Sequence, residues 1–250
     1  METVGKALDI LEVFFKHDGE IGITELANLS GVNISTAHRI TSLLVKKKYL
    51  SHRQKRGKYS IGFKFLEFSG TVKRRVKVRD VALPFMKEIN AMVGESVNLA
   101  ILDSDEAVYI EQVESSKSLR IFTEVGNRAP LYCTGVGKIF LAYMADEEKN
   151  RILHDKGLYP LTENTTTDID TMNNVLIKIK HDGYALDDGE MEQGVRCVAS
   201  PVRDWNGNVV AAVSVSGPSA RLSNERLGEL IPLVKNSGLE ISRAMAYTGE

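Results

Sequence analysis

Apolar residues in the first third of the chain recur at helical spacing. Val4, Ala7, Leu8, Leu11, Phe14 and Phe15 form an i, i+3, i+4, i+7 stripe that predicts an amphipathic helix over 4–17, with Thr3 as N-cap and Gly19 as stop. A shorter helix is predicted over 24–30, burying Leu26, Ala27 and Leu29, and Gly31 supplies a residue that tolerates the left-handed conformation of a tight turn. Asn33 then caps a third helix whose inward stripe is Ile34, Ala37, Ile40, Leu43 and Leu44. Its outer face carries Ser35, Thr36, His38, Arg39 and Ser42. A small residue where two helices approach, a glycine turn four residues on, and a second helix with polar first turns are what a helix-turn-helix requires. Many helical hairpins share that pattern and bind nothing, so the residues after the third helix carry weight.

Two short strands, over 50–53 and 58–61, flank the turn Gln54-Lys55-Arg56-Gly57. A hairpin tip with Lys55 and Arg56 beside a polar helix face suits phosphate contacts on either side of a major-groove insertion. Lysine on an edge hairpin also serves solubility alone. Helix, turn, helix and wing in this order favour DNA.

Phe65, Phe68, Val72 and Val76 then stripe a basic helix over 63–77 that joins the head to the rest of the chain. Val78, Val81, Ala82, Phe85, Ile89 and Met92 stripe another over 78–93, where Pro84 requires a helix start or a kink. Beyond Gly94 the period becomes two, with Val97, Leu99 and Ile101 alternating, and strands are predicted over 107–113 and 119–123. Helices are predicted over 134–143, 146–156 and 168–182, strands over 184–187, 195–201 and 208–216, and a last helix over 224–247. Strands flanked by helices at both ends make one α+β sensor-like domain.

Composition points to a globular chain: 250 residues, 43% apolar and 26% charged, exclude disordered and collagen-like classes. No run approaches the roughly 18 to 20 apolar residues of a membrane span, and no signal peptide follows Met1, so a cytoplasmic protein with no membrane partner is expected. Cys133 and Cys197 are far apart and lack metal-ligand spacing, which predicts two reduced thiols, no metal and no cofactor. The net charge of -1 conceals a polarity: residues 1–79 hold sixteen Lys and Arg against seven Asp and Glu, residues 80–250 sixteen against twenty-six. Between Arg39 and Arg79 Glu67 is the only acid among fourteen basic residues. A solvated helical face carries such charge too, but so long a one-sign stretch makes a field suited to nucleic acid.

Several segments together resemble the IclR family of bacterial transcriptional regulators across nearly the whole chain. They are Gly22-Ile23-Thr24-Glu25-Leu26-Ala27, Pro130-Leu131-Tyr132-Cys133-Thr134-Gly135-Val136-Gly137-Lys138, Gly183-Tyr184-Ala185-Leu186-Asp187-Asp188-Gly189-Glu190, Gly194-Val195-Arg196-Cys197-Val198-Ala199-Ser200-Pro201-Val202 and Val213-Ser214-Val215-Ser216-Gly217-Pro218. The resemblance implies a winged helix-turn-helix over 1–62, a linker helix over 63–78 and a GAF-like effector-binding and oligomerisation domain over 79–250, assembled as a homodimer or homotetramer. It implies operator DNA and a small organic acid as partners. Family members commonly carry histidine where Tyr132 stands, which puts metal-assisted ligand contact in doubt. Tyrosine there, like Gly22 to Leu26, is similar to the branch that responds to the sugar acid ketodeoxygluconate.

Candidate chemistry falls at two places. The first turns of the third helix should enter the major groove, with Arg39 matching guanine O6 and N7 bidentately and Ser35 and Thr36 serving bases or phosphate. His38 is a packing or phosphate residue, Ser42 shares the face, and Lys55, Arg56 and Lys58 should add salt-sensitive, sequence-tolerant affinity. In the second half, Thr134-Gly135-Val136-Gly137 reads as a helix N-terminus with free backbone N–H groups, suited to an anion. Lys138 after Gly137 does not make a nucleotide loop, because the upstream glycine and the following Ser or Thr are missing. Strand alternation puts Ser214 and Ser216 on one face, and likewise Val195, Cys197 and Ala199. By their match to the family, effector contacts fall on Gly135, Val136, Asp187, Cys197, Ser214 and Ser216, with Leu131 and Val195 as walls. Taken singly, Cys197 is equally a small buried hydrophobe, Ser214 and Ser216 polar strand positions, and Asp187 a turn residue. A hydrolase or isomerase with Cys197 as nucleophile and Asp187 as partner is the competing class, but no histidine base lies in these motifs. A DNA-packaging protein would need only the basic half.

Overall fold

A computed structural model describes residues 2–17, 19–53, 57–75 and 77–249. Lys55, Arg56 and Val76 lie outside the described residues, as does the side chain of Val72. The chain divides into two compact units, Met1–Val76 and Lys77–Glu250.

The first unit contains α1 (Glu2–Lys16), β1 (Ile21–Gly22), α2 (Ile23–Ser30), α3 (Ile34–Lys46), β2 (Leu50–Arg53), β3 (Lys58–Ile61) and α4 (Lys64–Arg75). Gly31 ends α2 at φ 66, and its amide bonds back to the Ala27 and Asn28 carbonyls. Asn33 caps α3 by accepting from the Thr36 amide at 2.9 Å. The two strands of the wing pair antiparallel with Leu50 opposite Ile61, and β3 also pairs with β1, a two-residue strand too short for a periodicity signal. The core gathers Ile10, Val13, Leu26, Ala27, Ala37, Ile40 and Leu50.

Several apolar positions expected inside are exposed. On α1 the buried side is centred on Ile10 and Val13, leaving Val4, Leu8 and Phe15 in solvent; on α3 it is Ala37, Ile40 and Thr41, leaving Ile34 and Leu43 outside. Leu29 and Phe68 are likewise exposed. These helices carry apolar residues over more than one face, so periodicity specified the helix but not its rotation.

The second unit contains α5 (Lys77–Val93), β4 (Ser96–Asp103), β5 (Glu106–Val113), β6 (Arg128–Pro130), α6 (Gly135–Tyr143), α7 (Asp146–Lys156), α8 (Ile169–Asp182), β7 (Ala185–Asp188), β8 (Val195–Arg203), β9 (Val209–Pro218) and α9 (Asn224–Ala244). The strands form one antiparallel sheet in the order β6-β5-β4-β9-β8-β7. Helices α5 and α9 pack on its middle strands, while α6, backed by α8, also packs on the sheet. The sheet face toward α6 contributes Ala100, Ala185, Cys197, Ala199 and Ala212 to a core shared with Ile139, Phe140 and Leu176. Covered on both sides, β4, β8 and β9 have buried runs instead of strict alternation.

Two differences from the expected elements matter. On α5 the buried stripe uses Met86 and Val93, and Met92 is exposed. Residues 119–123 are not a strand: the Ile121 carbonyl accepts from the Ser96 hydroxyl at 2.8 Å and the Thr123 amide donates to Gln112 Oε1 at 3.3 Å. Side chains thus take the backbone groups that a ladder would need.

Candidate nucleic-acid interface and ligand site

On α3, Ser35, His38, Arg39 and Ser42 are exposed and Thr36 is half-buried. The Ser35 hydroxyl donates to Asn33 Oδ1 at 3.0 Å and the Ser42 hydroxyl to the His38 carbonyl at 2.8 Å, so both lean on their own helix. Arg39 makes no hydrogen bond or ion pair among the described residues, and the side chains of Lys46, Lys47, Lys48 and Lys58 are similarly free. The guanidinium fork is therefore open to an external acceptor. In the wing, His52 and Tyr59 stack across the strands with ring centroids 4.5 Å apart.

The polar side chains of the second unit meet on the sheet face toward α6. Strand register places Asp187 opposite Cys197, Cys197 opposite Ser216, and Ala199 opposite Ser214. The Ser214 and Ser216 hydroxyls pull the Cys197 thiol pKa down, against the upward push of burial. Asn98 Nδ2 donates to the Ser216 hydroxyl at 3.3 Å, and Gln112 Nε2 donates to Asn98 Oδ1 at 2.8 Å. A continuous polar row thus crosses from β8 to β5 and ends on the 119–123 segment through Gln112.

The start of α6 closes this row from above. The Thr134 hydroxyl accepts from the Gly137 amide at 3.1 Å, so one of the three expected N–H groups is already engaged. Those of Gly135 and Val136 remain without a partner among the described residues. A Cβ on Gly135 would stand 3.0 Å from Cys197 Sγ, a tight fit, and one on Gly137 would lie 2.4 Å from the Leu131 backbone, where only glycine allows the approach.

Charge at the site is buried. Lys138, 3% exposed, pairs with Glu190, whose Oε2 has no partner among the described residues. Asp187, 7% exposed, accepts from the Glu190 amide at 2.8 Å. Burial pushes its carboxyl up to about 6, although the Glu190 amide and Lys138 pull the other way. Burial likewise pushes the Cys133 thiol to about 12 and Cys197 to about 11, and raises Tyr109 further. Lys138 pulls both thiol pKa values down, but it is held by Glu190 and burial outweighs it, so the thiols stay protonated and are poor nucleophiles. Thr165 and Thr162 anchor the turn beneath by donating at 2.6 Å to the Glu190 and Gly189 carbonyls.

The family profile for the bacterial transcriptional regulator IclR C-terminal domain matches residues 70–243, and that for the IclR helix-turn-helix domain matches residues 3–54. The chain belongs to the IclR family. The transcriptional regulator XynR of Escherichia coli K12 is 32% identical over 247 residues, covering 99% of this chain and 98% of its own. KdgR of the same organism is 33% identical over 247 residues, 99% of this chain and 94% of its own. The crystal structure of Thermotoga maritima IclR superposes with a TM-score of 0.85 at 34% identity, covering 99% of this chain and all of that one (100%). The relatives carry the names of regulators and repressors. This IclR-family chain is a DNA-binding transcriptional regulator and not an enzyme, with a winged head and an α+β, GAF-like second domain.

Of the expected ligand positions, Asp187, Cys197, Ser214 and Ser216 share one sheet face, and Gly135 at the start of α6 packs against Cys197 there. Val136 is buried in the core beside them. Val195 sits half-buried at the start of β8 opposite Pro218, and Leu131 lines a separate cavity on the far side of its turn. Sequence reasoning missed Lys138, Glu190, Tyr109, Asn98 and Gln112 as members of the site. The first two stood at the ends of the family segments, and an asparagine and a glutamine inside apolar strands were the signal for the last two. No three His, Cys, Asp or Glu side chains are grouped to hold a metal among the described residues, and no described helix is long and apolar enough to cross a membrane.

Proposed function

We propose that α3 reads a palindromic operator and that a small organic acid, bound on the polar sheet face, changes the affinity for it. Head, linker and effector domain are taken as 1–62, 63–78 and 79–250, and the working form as a cytoplasmic homodimer or homotetramer. Arg39 reads a base edge, Ser35, Thr36, His38 and Ser42 stand beside it, and Lys55, Arg56 and Lys58 grip phosphate. The acid's carboxylate takes the amides of Gly135 and Val136, with Asp187, Cys197, Ser214 and Ser216 around it, Val195 as a wall, and Leu131 in support only through its backbone behind Gly137. A sugar acid is the favoured class, because the row Ser214, Ser216, Asn98 and Gln112 offers hydroxyl and amide partners for a polyol.

The observation that carries this reading is one buried face holding two unengaged helix-terminal amides beside a protonatable Asp187. Coupling follows by linkage: the acid binds one of two arrangements of paired heads preferentially. A thermal-shift screen of the full chain against sugar acids, keto acids and aromatic acids tests it. A sugar acid that raises the melting temperature and moves operator affinity is the expected hit; stabilisation by none of the three classes contradicts the reading.

A further inference from the structure

Behind the turn that leads into α6 lies a cavity of about 170 Å³. Its walls include Leu131, Leu141, Ile152 and Leu153, all buried, and Pro130. The Tyr132 hydroxyl, also in the wall, donates to the Tyr159 carbonyl at 2.9 Å and so clasps the turn to the segment after α7. Tyr159, 66% exposed, also lines the cavity. The mouth carries charge, but each acid is already held: Arg151 Nη2 meets Asp105 at 2.7 Å and Arg128 Nη1 meets Glu106 at 3.2 Å. Lys156 there is exposed to water.

We propose that this cavity is a second small-molecule site, distinct from the polar sheet face, and that it takes a neutral, apolar molecule the size of a single aromatic ring. The volume is close to that of apolar cavities of about 150 Å³ that stay dry and bind benzene. The hydroxyl in its wall is engaged by Tyr159, the carboxylates at its mouth are held by arginines, and the lining cation Lys156 is exposed to water, so the buried walls present apolar surface to a ligand. An unfilled apolar void leaves its lining without dispersion partners on one side, and a ring supplies them.

The site has a direct route to the other one. Leu131 walls the cavity on one side, and its backbone packs against Gly137 on the other. Three residues on, Thr134 caps the helix whose Gly135 rests on Cys197. A ring pressing on Leu131 and Tyr132 therefore acts on the frame that presents the Gly135 and Val136 amides. Only this regulatory consequence rests on the organic-acid reading; occupancy of the cavity does not.

The test uses the full chain with benzene as probe, followed by ligand-observed NMR and thermal shift. Saturable binding is expected for the wild type and for Asp187→Asn, which alters the acid site alone. Leu153→Trp, whose indole fills the void, should weaken binding at least about tenfold, and Leu153→Phe offers a smaller filler should the tryptophan variant not fold. No saturable binding to the wild type, or wild-type affinity in the folded filled variants, overturns the proposal. Failure of every acid in the thermal-shift screen would leave this result untouched.

Discussion

Arg39 and Asp187 carry most of the proposed chemistry, and both make predictions at the level of single atoms. Arg39 extends from an exposed helix face without a partner among the described residues, so replacing it leaves the fold intact. Arg39→Ala should cost about 1–3 kcal/mol on the operator and much less on random duplex, whereas Lys58→Ala should weaken both alike; equal losses for the two variants in fluorescence anisotropy would refute the division. Asp187 titrates near 6 in the fold against an ordinary value of about 3.9. A raised value means the protonated form is favoured in the fold, so the associated stability is complete below about pH 4 and is lost as pH rises through 6. Asp187→Asn should remove that slope. An anionic ligand prefers the protonated carboxyl, so its affinity should fall by up to about tenfold per pH unit above 6. Calorimetry between about pH 5 and 8 checks this, and a flat profile counts against a role for Asp187 in holding the acid. The residue scale is also where sequence reading stopped short. Asn98 and Ser216 are 118 positions apart and meet only through the order of β4 and β9, which no local pattern specifies.

At the scale of elements, the chain was most legible where local chemistry decides. Both wing strands, α7 and the caps at Asn33 and Thr134 follow from spacing and from side chains that bond the first turn. Elements decided by distant partners were less legible: β1 and β6 exist because β3 and β5 pair with them, and 119–123 failed to become a strand because Ser96 and Gln112 claimed its backbone. Two elements yield predictions. Gly31→Ala places a side chain at φ 66 and should destabilise the first unit by about 1–2 kcal/mol, visible as a lower urea midpoint; an unchanged midpoint would mean the turn relaxes freely. Thr134→Val removes the acceptor for the Gly137 amide and should cost about 1 kcal/mol. It should also weaken acid binding, since the cap sets the direction of the neighbouring amides. Retention of full acid affinity in a destabilised Thr134→Val protein would separate the cap from the ligand.

For the whole molecule, charge and topology divide the labour. The positive excess lies in residues 1–79, with the winged head, and the negative excess in 80–250, with the sheet domain. Matching of the family profiles to 3–54 and 70–243 follows the same division. Regulation on this scheme requires that the head bind duplex phosphate and that a ligand of the other unit alter that binding. Titration of the full chain onto a duplex from upstream of its own gene, at salt from about 50 to 200 mM and with or without a sugar acid, tests both together. A log–log salt slope of about -0.9 per phosphate contact is expected, with an affinity that changes when the acid is added and, above pH 6, changes at lower acid concentrations for Asp187→Asn, whose side chain stays neutral. Attachment that ignores salt, or an operator affinity indifferent to the acid in wild type and variant alike, would contradict it.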